Sequence, residues 1–318
     1  MTRIGFHASH EQISPRRLLA DVQEAEQIGF DMAMCSDHFA PWSRRQGHSG
    51  YTWSWLGAAL ATTSLSFGCV SAPGQRYHPA VAAQKIATLA QMFPGRFWTA
   101  LGSGEAMNEM ITGDKWLRKE QRVQRLEECV DIIRRLLQGE EVTHDGLITV
   151  DRAKLWDLPA EVPLLIAPAV SPASAGRVAA WADGLITINQ DPEVLRRVIG
   201  NYRDAGGRGD ISLQVHLSWA PTDEEAEAIA FEQWRTNVFA EPVCWDLDSV
   251  DAFDAAAEHV GPASVHGAVR ISADPAQHLA WLTEYAEMGF DDIYLHYVGQ
   301  DHTRYFETFG SSVLPQLH

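Results

Sequence analysis

The densest group of chemically useful side chains is the run Ser36–Trp42, with the sequence Ser-Asp-His-Phe-Ala-Pro-Trp. In this run a carboxylate, Asp37, directly precedes an imidazole, His38, and an indole follows at Trp42. A carboxylate beside an imidazole can fix its tautomer or raise its pKa, as acid–base chemistry near neutral pH requires. The alternative is that Asp37 caps a loop and His38 is an ordinary buried histidine.

A second candidate is the run Gly102–Glu109, with the sequence Gly-Ser-Gly-Glu-Ala-Met-Asn-Glu. Its two glycines would let the backbone approach a ligand, and Glu105 would then project from a loop or a first helical turn. A carboxyl group half-buried near a ring system has a raised pKa and can serve as an acid or a base. The alternative is a helix start decorated with acidic residues, which the helix dipole favours.

A third candidate is the run Ala167–Ser174, which precedes a segment rich in small residues. Hydroxyl groups and free N–H groups at a helix start form a ready phosphate site, here with Ser171 and Ser174. An ordinary serine cap is the alternative.

A metal site is not predicted, although several histidines lie near these runs. Metal-dependent barrel hydrolases place a His-x-His motif after their first strand, whereas this chain has His7-Ala8-Ser9-His10. No position suits a carbamylated lysine, so we expect no catalytic metal.

The elements that must position these residues alternate between strand and helix. The predicted strands are Ile4–His7, Met32–Cys35, Leu65–Val70, Phe97–Leu101, Leu164–Ile166, Leu185–Ile188, Ile211–Ser218 and Ile293–His296. Helical spacing follows each of them, for example over Pro15–Ile28, Pro79–Met92, Leu117–Leu137 and Ser174–Trp181. Eight such units predict an α/β fold, a (β/α)8 TIM barrel.

Irregular segments fall at 43–51, 102–116 and 237–268, and we interpret them as insertions in the strand-to-helix loops. Residues 141–156 alternate as a hairpin does, with Asp145-Gly146 as its turn. A doubly wound sheet is the alternative fold, but the glycine-rich turn expected after its first strand is missing. No linker divides the chain, so we predict one domain over residues 1–318.

Composition excludes several classes of protein. The net charge of −17 disfavours nucleic acid and acidic membranes as partners. No run is apolar enough for a membrane span, and no signal peptide is recognisable. The four cysteines form no CxxC pair, which indicates reduced thiols and a cytoplasmic location.

The runs at 36–42 and 102–109 together resemble the bacterial luciferase-like flavin and deazaflavin oxidoreductases. The resemblance is to the branch that holds F420-dependent glucose-6-phosphate dehydrogenase, and Arg76–Val81, Phe93–Arg96 and Asp183-Gly184 match that branch as well. It covers nearly the whole chain and is clearest up to about residue 115. It implies a (β/α)8 barrel with a non-proline cis peptide near residues 70–72.

The resemblance also implies roles for individual residues. The side chains that would face the substrate and take part in catalysis are His38, Trp42 and Glu105. Those that would hold the cofactor are Asp37, Ser71, Ala72, Ser103, Ala169, Ser171 and Ser174. The partners it implies are a small-molecule substrate and a second copy of the chain, and a separate flavin reductase could supply reduced flavin.

Two departures from the branch decide the cofactor and the substrate. Paired glycines at the cofactor phosphate are replaced here by Pro168–Ser171, and the overall pattern is most similar to a subgroup thought to use FMN. The cations that would bind a substrate phosphate are replaced by neutral or acidic residues at Asn189–Asp191, Val243-Cys244 and Ala268.

We therefore expect an FMN-dependent oxidoreductase that transfers hydride to, or mono-oxygenates, a small organic substrate other than glucose 6-phosphate. The alternatives are an F420-dependent dehydrogenase or reductase, and a non-catalytic flavin-binding protein.

Overall fold

Strands and helices alternate along the chain in a computed structural model that describes residues 2–317. The strands are β1 (Arg3–Ala8), β2 (Met32–Ser36), β3 (Ser66–Ser71), β4 (Phe97–Leu101), β5 (Val142–Asp145), β6 (Thr149–Ala153), β7 (Leu165–Pro168), β8 (Leu185–Ile188), β9 (Ile211–Ser218), β10 (Arg270–Ile271) and β11 (Asp292–Tyr297).

Eight parallel strands close into a barrel, in the order β1, β2, β3, β4, β7, β8, β9, β11 and back to β1. The predicted (β/α)8 TIM barrel is therefore confirmed. The predicted hairpin is also present, because β5 and β6 pair antiparallel outside the barrel. Strand β10 was not predicted; it extends the sheet by pairing with the end of β9.

The helices are α1 (Pro15–Gln27), α2 (Thr52–Thr62), α3 (Pro79–Met92), α4 (Ala106–Glu109), α5 (Lys119–Leu137), α6 (Pro172–Val178), α7 (Pro192–Asp204), α8 (Asp223–Trp234), α9 (Val243–Asp246), α10 (Val250–Ala256), α11 (Pro275–Glu287) and α12 (Thr303–Ser312). Several begin with a side-chain cap followed by proline. Asp191 before α7 and Asp274 before α11 each accept a hydrogen bond from a first-turn N–H group.

Of the three predicted insertions, two lie in strand-to-helix loops and one follows a helix. Residues 43–51 and 102–116 lie in strand-to-helix loops, as predicted, and the second contains α4. The segment 237–268 lies instead between α8 and α11 and forms α9, α10 and two short 3₁₀ turns. Within residues 2–317 the cis peptide bond is Glu241–Pro242, so the cis bond expected near residues 70–72 is wrong for this structure, where those bonds are trans.

Among residues 2–317 the apolar core forms three clusters, and one small cluster joins Trp234 of α8 to Val265 and Val269 before β10. A large cluster fills the space between the strands and the outer helices. A smaller one fills the barrel interior with Met32, Met34, Ile186 and Tyr294, against which Trp98 packs. In the part of the chain that the structure describes, every helix is too short or too polar to cross a membrane.

Candidate active site

A cleft opens at the carboxyl ends of β2, β3, β4 and β7 and is closed on its outer side by α5 and α6. Eight of the predicted site residues line it: Asp37, His38, Ser71, Ala72, Ser103, Glu105, Ala169 and Ser174. Trp42 lies beside the cleft with its ring centroid 5.2 Å from that of His38. Ser171 directly precedes α6, one turn from Ser174. The barrel therefore gathers every predicted residue at one end.

Asp37 is buried and receives hydrogen bonds on both carboxylate oxygens. Trp53 Nε1 donates to Oδ2 over 2.7 Å, and the Ser71 hydroxyl donates to the same oxygen over 2.9 Å. The Tyr77 hydroxyl donates to Oδ1 over 3.3 Å, and Arg76 lies 3.6 Å from that oxygen. These four neighbours fix the position and orientation of the Asp37 carboxyl group.

His38 forms an ion pair with Glu11, a residue that the sequence analysis did not single out. His38 Nδ1 lies 2.6 Å from Glu11 Oε1. The Ser9 hydroxyl donates a hydrogen bond to the other carboxylate oxygen of Glu11 over 2.8 Å. Glu11 is 3% exposed, so water does not compete with this contact. A carboxylate soon after the first strand was the only signal that could have indicated Glu11.

The pair changes the protonation of both groups. Burial alone would lower the pKa of His38, but the charge and hydrogen bond of Glu11 outweigh it and raise the pKa to about 9. Burial would raise the pKa of Glu11, but His38 lowers it to about 2. His38 is therefore an imidazolium ion at neutral pH, with Nδ1 bound to Glu11.

In the second run, burial raises the pKa of the Glu109 carboxyl group, four residues after Glu105. Burial raises the pKa of Glu109 to about 7, although Arg76 opposes this rise. The backbone N–H of Arg76 donates a hydrogen bond to the Glu109 carboxylate over 2.9 Å. Glycine is required at position 104, since a Cβ there would lie only 2.7 Å from the Glu109 side chain. Glu105 itself is half-buried at the cleft edge, where Asn108 Nδ2 donates to it over 3.4 Å.

The loop before α6 has the predicted hydroxyl groups in place. Ser171 Oγ accepts a hydrogen bond from Ser174 N and lies 2.9 Å from Ser174 Oγ. Ser171 therefore caps the helix, whereas Ser174 also lines the cleft. The serine cap is therefore present at Ser171, and a ligand-binding role for Ser174 stays a prediction.

The outer end of the cleft carries three cations from α5 and α6. Each is paired with a carboxylate: Lys119 with Glu241 at 2.6 Å, Arg122 with Asp246 at 3.3 Å and Arg177 with Glu127 at 2.8 Å. Glu241 and Asp246 come from the segment 237–268, which covers this end of the cleft. The Lys119 and Arg177 pairs are exposed and are worth only about 0–1 kcal/mol each, whereas the Arg122 side chain is buried.

Beside the cleft, the upper interior of the barrel carries an uncharged polar network. Gln214 Nε2 lies 3.1 Å from His216 Nε2 and 3.1 Å from His296 Nδ1, and His296 Nε2 lies 2.8 Å from Gln12 Oε1. His7 stacks on His296 with ring centroids 4.2 Å apart. Burial lowers the pKa of His7 to about 4 and that of His216 to about 3, so both are neutral at neutral pH.

Two positions expected to lack phosphate-binding cations lie next to this network. Asn189 Oδ1 accepts from the backbone N–H of His216, and Asn189 Nδ2 donates to the backbone oxygen of Ala268 over 3.0 Å. The nearby Arg270 donates from Nε to the Tyr285 hydroxyl on α11 over 2.7 Å and from Nη2 to the backbone oxygen of Gln190 over 3.4 Å. The side chains of the network itself therefore offer a substrate hydrogen bonds without positive charge.

The cleft combines apolar surface with a row of hydroxyl groups. Val70, Ala72 and Ala169 supply apolar surface, and Gly102 is bare where a Cβ would lie 3.2 Å from Pro168. Ser71, Ser103 and Ser174 offer hydroxyl groups along the same wall. The cleft lies at the carboxyl end of the barrel, where the active sites of enzymes with this fold are found.

The chain belongs to the luciferase-like monooxygenase family, whose model matches residues 1–292. Its relatives are oxidoreductases. F420-dependent glucose-6-phosphate dehydrogenase of Microbacterium testaceum (strain StLB037) is 33% identical over 329 residues, with 99% of this chain and 97% of the relative covered. F420-dependent hydroxymycolic acid dehydrogenase of Mycobacterium tuberculosis (strain ATCC 25618 / H37Rv) is 32% identical, with 99% and 88% covered.

Among solved structures, an F420-dependent secondary alcohol dehydrogenase in complex with an F420–acetone adduct has a TM-score of 0.90 at 27% identity. It covers 100% of this chain, and 99% of its own chain is covered. These relatives favour F420 over FMN. The sequence patterns alone favour FMN, so this expectation is corrected.

Proposed function

We propose that the chain is an F420-dependent oxidoreductase that transfers hydride between the cofactor and an uncharged hydroxyl or carbonyl compound. The observation that carries this proposal is the buried His38–Glu11 pair, which faces the same cleft as Glu105 and the serine-lined wall. A non-catalytic cofactor carrier would have no use for a histidine whose pKa a buried carboxylate raises to about 9.

The cofactor assignment is supported by the relatives and by the charges at the mouth of the cleft. The phosphate would lie at Ser174 and the start of α6, and the ring against Asp37, Ser71, Ala72, Ser103 and Ala169. F420 carries glutamyl carboxylates beyond its phosphate, whereas FMN ends at the phosphate. Lys119, Arg122 and Arg177 lie at the outer end of the cleft, where such carboxylates would find partners.

The substrate assignment follows from the neutral network of Gln214, His216 and His296. A sugar phosphate would enter this part of the site without a cation to bind it and would lose its charge-assisted hydrogen bonds. An uncharged alcohol or ketone needs only neutral donors and acceptors. Two relatives of nearly equal identity act on different compounds, so identity with the glucose-6-phosphate dehydrogenases does not fix the substrate.

The bound cofactor would accept or supply the hydride, and the protein would handle the proton. His38 Nδ1 is held by Glu11, so Nε2 is the nitrogen free to give a proton to a carbonyl oxygen as it becomes a hydroxyl group. Trp42 and Phe253, with ring centroids 5.2 Å apart, exclude water from the side of His38. Glu105 would bind the substrate hydroxyl group or exchange its proton with solvent.

The test is to titrate the purified protein separately with F420 and with FMN, following cofactor fluorescence. We expect F420 to bind more tightly, and reduced F420 to be oxidised by simple ketones at a rate that falls as pH rises through about 9. His38→Gln should keep F420 binding and lose turnover, while the exposed control His259→Gln should keep both. Tighter binding of FMN would replace F420 in this proposal, and binding of neither cofactor would refute it.

A further inference from the structure

Lys85, on α3, places a positive charge directly behind the candidate site without a hydrogen bond to hold it. Among residues 2–317 its ammonium nitrogen is buried and has no acceptor. Instead it lies over two aromatic rings, 3.0 Å from the ring centroid of Tyr77 and 4.4 Å from that of Trp53. A buried ammonium group without an acceptor is costly, and cation–π contacts of up to about 2 kcal/mol each offset only part of that cost.

The two rings that hold Lys85 are also the two rings that donate hydrogen bonds to Asp37. Trp53 Nε1 donates to one carboxylate oxygen over 2.7 Å, and the Tyr77 hydroxyl donates to the other over 3.3 Å. A cation over the face of an aromatic ring draws electron density from it, which makes the N–H or O–H at its edge a stronger donor. The charge of Lys85 therefore reaches the Asp37 carboxylate through both rings and through space.

We propose that Lys85 is a positioning residue for cofactor binding, whose charge offsets the Asp37 carboxylate through Trp53 and Tyr77. The identity of the ligand rests on the proposed function, but the link from Lys85 to Asp37 does not. An anionic cofactor ring lying against Asp37 would be repelled by an isolated carboxylate. With Lys85 behind it and Arg76 at its side, the same carboxylate can accept hydrogen bonds without presenting a full negative charge.

The charge of Lys85 should change near physiological pH. Burial lowers the pKa of Lys85 to about 8, and the positive charge of Arg76, in the loop after β3, acts in the same direction. The acidic groups of Asp37, Cys69 and Glu109, which face Lys85 from the end of β2, from β3 and from α4, oppose this shift. Lys85 is therefore charged below about pH 8 and neutral above it. Cofactor affinity should fall across the same range.

The first test needs no cofactor. Protein labelled with 5-fluorotryptophan is followed by ¹⁹F NMR from pH 6.5 to 9.5, with the Trp53 resonance assigned from Trp53→Phe. We expect an inflection near pH 8 in the wild type that is absent from Lys85→Met. Glu109 and His38 also titrate in this region, so the difference between wild type and variant is the signal that counts.

The second test measures the affinity for F420, and for FMN in parallel, over the same pH range. We expect Lys85→Met to weaken binding on the order of tenfold at pH 7, the size of one partly screened charge interaction. The wild type should approach the affinity of the variant at pH 9.5. Lys85→Arg, which does not titrate, should keep tight binding throughout. The control Lys154→Met removes an exposed lysine near Trp156 and should change neither measurement.

Superimposable pH profiles of wild type and Lys85→Met, in either measurement, would overturn the inference. If the wild type binds neither cofactor, the proposed function fails, and the Trp53 resonance still decides whether Lys85 acts on the Asp37 cluster. If Lys85→Met does not fold, Lys85→Arg decides the matter, because it should abolish the inflection near pH 8.

Discussion

Buried charges determine what the candidate site can do at the scale of single residues. Asp37, Glu11, Glu109, Arg76 and Lys85 are all held largely away from water. Burial and pairing shift the pKa values of Glu11, Glu109 and Lys85 away from their usual range, whereas the same residues on the surface would interact weakly. The chemistry of the site is therefore a property of how these side chains are paired.

The His38–Glu11 pair should be visible in the pH dependence of stability. The pKa of His38 is raised from 6.5 to about 9, so its contribution is complete below pH 6.5 and is lost as pH rises through 9. The pKa of Glu11 is lowered from 4.5 to about 2, so its contribution is complete above pH 4.5 and is lost as pH falls through 2. The pair therefore stabilises the fold most between about pH 4.5 and 6.5.

Glu11→Gln leaves a buried imidazolium without its partner and should reduce the free energy of unfolding by about 3–5 kcal/mol in that window. The loss should shrink as pH rises to 9 and above. Urea unfolding at several pH values measures it, and an NMR titration should find the pKa of His38 well below 9 in the variant. A loss that does not depend on pH would show that Glu11 acts by packing alone.

Glu105→Gln tests the residue at the cleft edge. The substitution keeps the shape of the side chain and removes its charge and its proton. We expect cofactor affinity to stay within a few-fold and turnover to fall by roughly 10²–10⁴, as for a general acid or base. Glu120→Gln, an exposed change at the start of α5, is the control. Full turnover with an unshifted pH profile would leave Glu105 as a solvated residue at a helix start.

At the scale of elements, the site is assembled from the ends of strands and the beginnings of helices. β2, β3 and β4 each end in a loop that places polar side chains in the cleft, while α5 and α6 supply its outer wall. The insertion 237–268 reaches over this wall through the Lys119–Glu241 and Arg122–Asp246 pairs. We therefore expect that substitutions at the start of one of these helices can change ligand affinity without changing the stability of the fold.

The start of α6 offers this separation directly. Ser174→Ala removes a hydroxyl group that lines the cleft, and we expect cofactor affinity to fall about 10- to 100-fold, as for lost hydrogen bonds to a phosphate, with an unchanged melting temperature. Ser171→Ala removes the helix cap and should also cost about 1 kcal/mol of stability. Isothermal titration and thermal unfolding of both variants measure the two effects. Unchanged affinity in the double variant would place the phosphate elsewhere, with Arg177 as the next candidate.

At the scale of the whole molecule, closure of the barrel depends on space for two large rings inside it. A Cβ at Gly68 would lie 1.9 Å from Trp98, and one at Gly5 would lie 2.4 Å from Tyr294. The barrel interior below the site is filled by these rings and by the methionines of β2. The absence of a side chain at these two positions is therefore a requirement of the fold.

Gly68→Ala should lower the free energy of unfolding by about 1–3 kcal/mol, as for an overpacked core, because the Trp98 indole occupies the space that the new Cβ needs. Gly57→Ala, on α2, meets no atom within 4 Å and should instead stabilise the protein by about 0.4–1 kcal/mol. Urea midpoints of both variants check the contrast. Equal midpoints would mean that Trp98 can leave the barrel interior.

The chain is also expected to form a homodimer, as its resemblance to the family implies. Sedimentation equilibrium at micromolar concentration should give twice the chain mass of 35.3 kDa. A mass of 35.3 kDa over this range would contradict the expectation.

The sequence by itself determined the elements and the end of the barrel at which the chemistry lies. Strand alternation, helical spacing and turn residues are local signals, and eight strand–helix units leave few alternatives to a closed parallel barrel. Because polar residues that follow parallel strands meet at one end, Asp37, Ser71 and Glu105 could be placed together without coordinates.

Only the tertiary structure decided which groups are paired and buried. Glu11 meets His38 from 27 residues away, and Gln214 meets His296 across 82 residues. The buried carboxyl group of the second run is Glu109, and Lys85 lies between rings from two other segments. No local pattern encodes these contacts, because they arise where separate loops pack over the barrel. Desolvation and pairing in that packing set the pKa values on which the proposed chemistry depends.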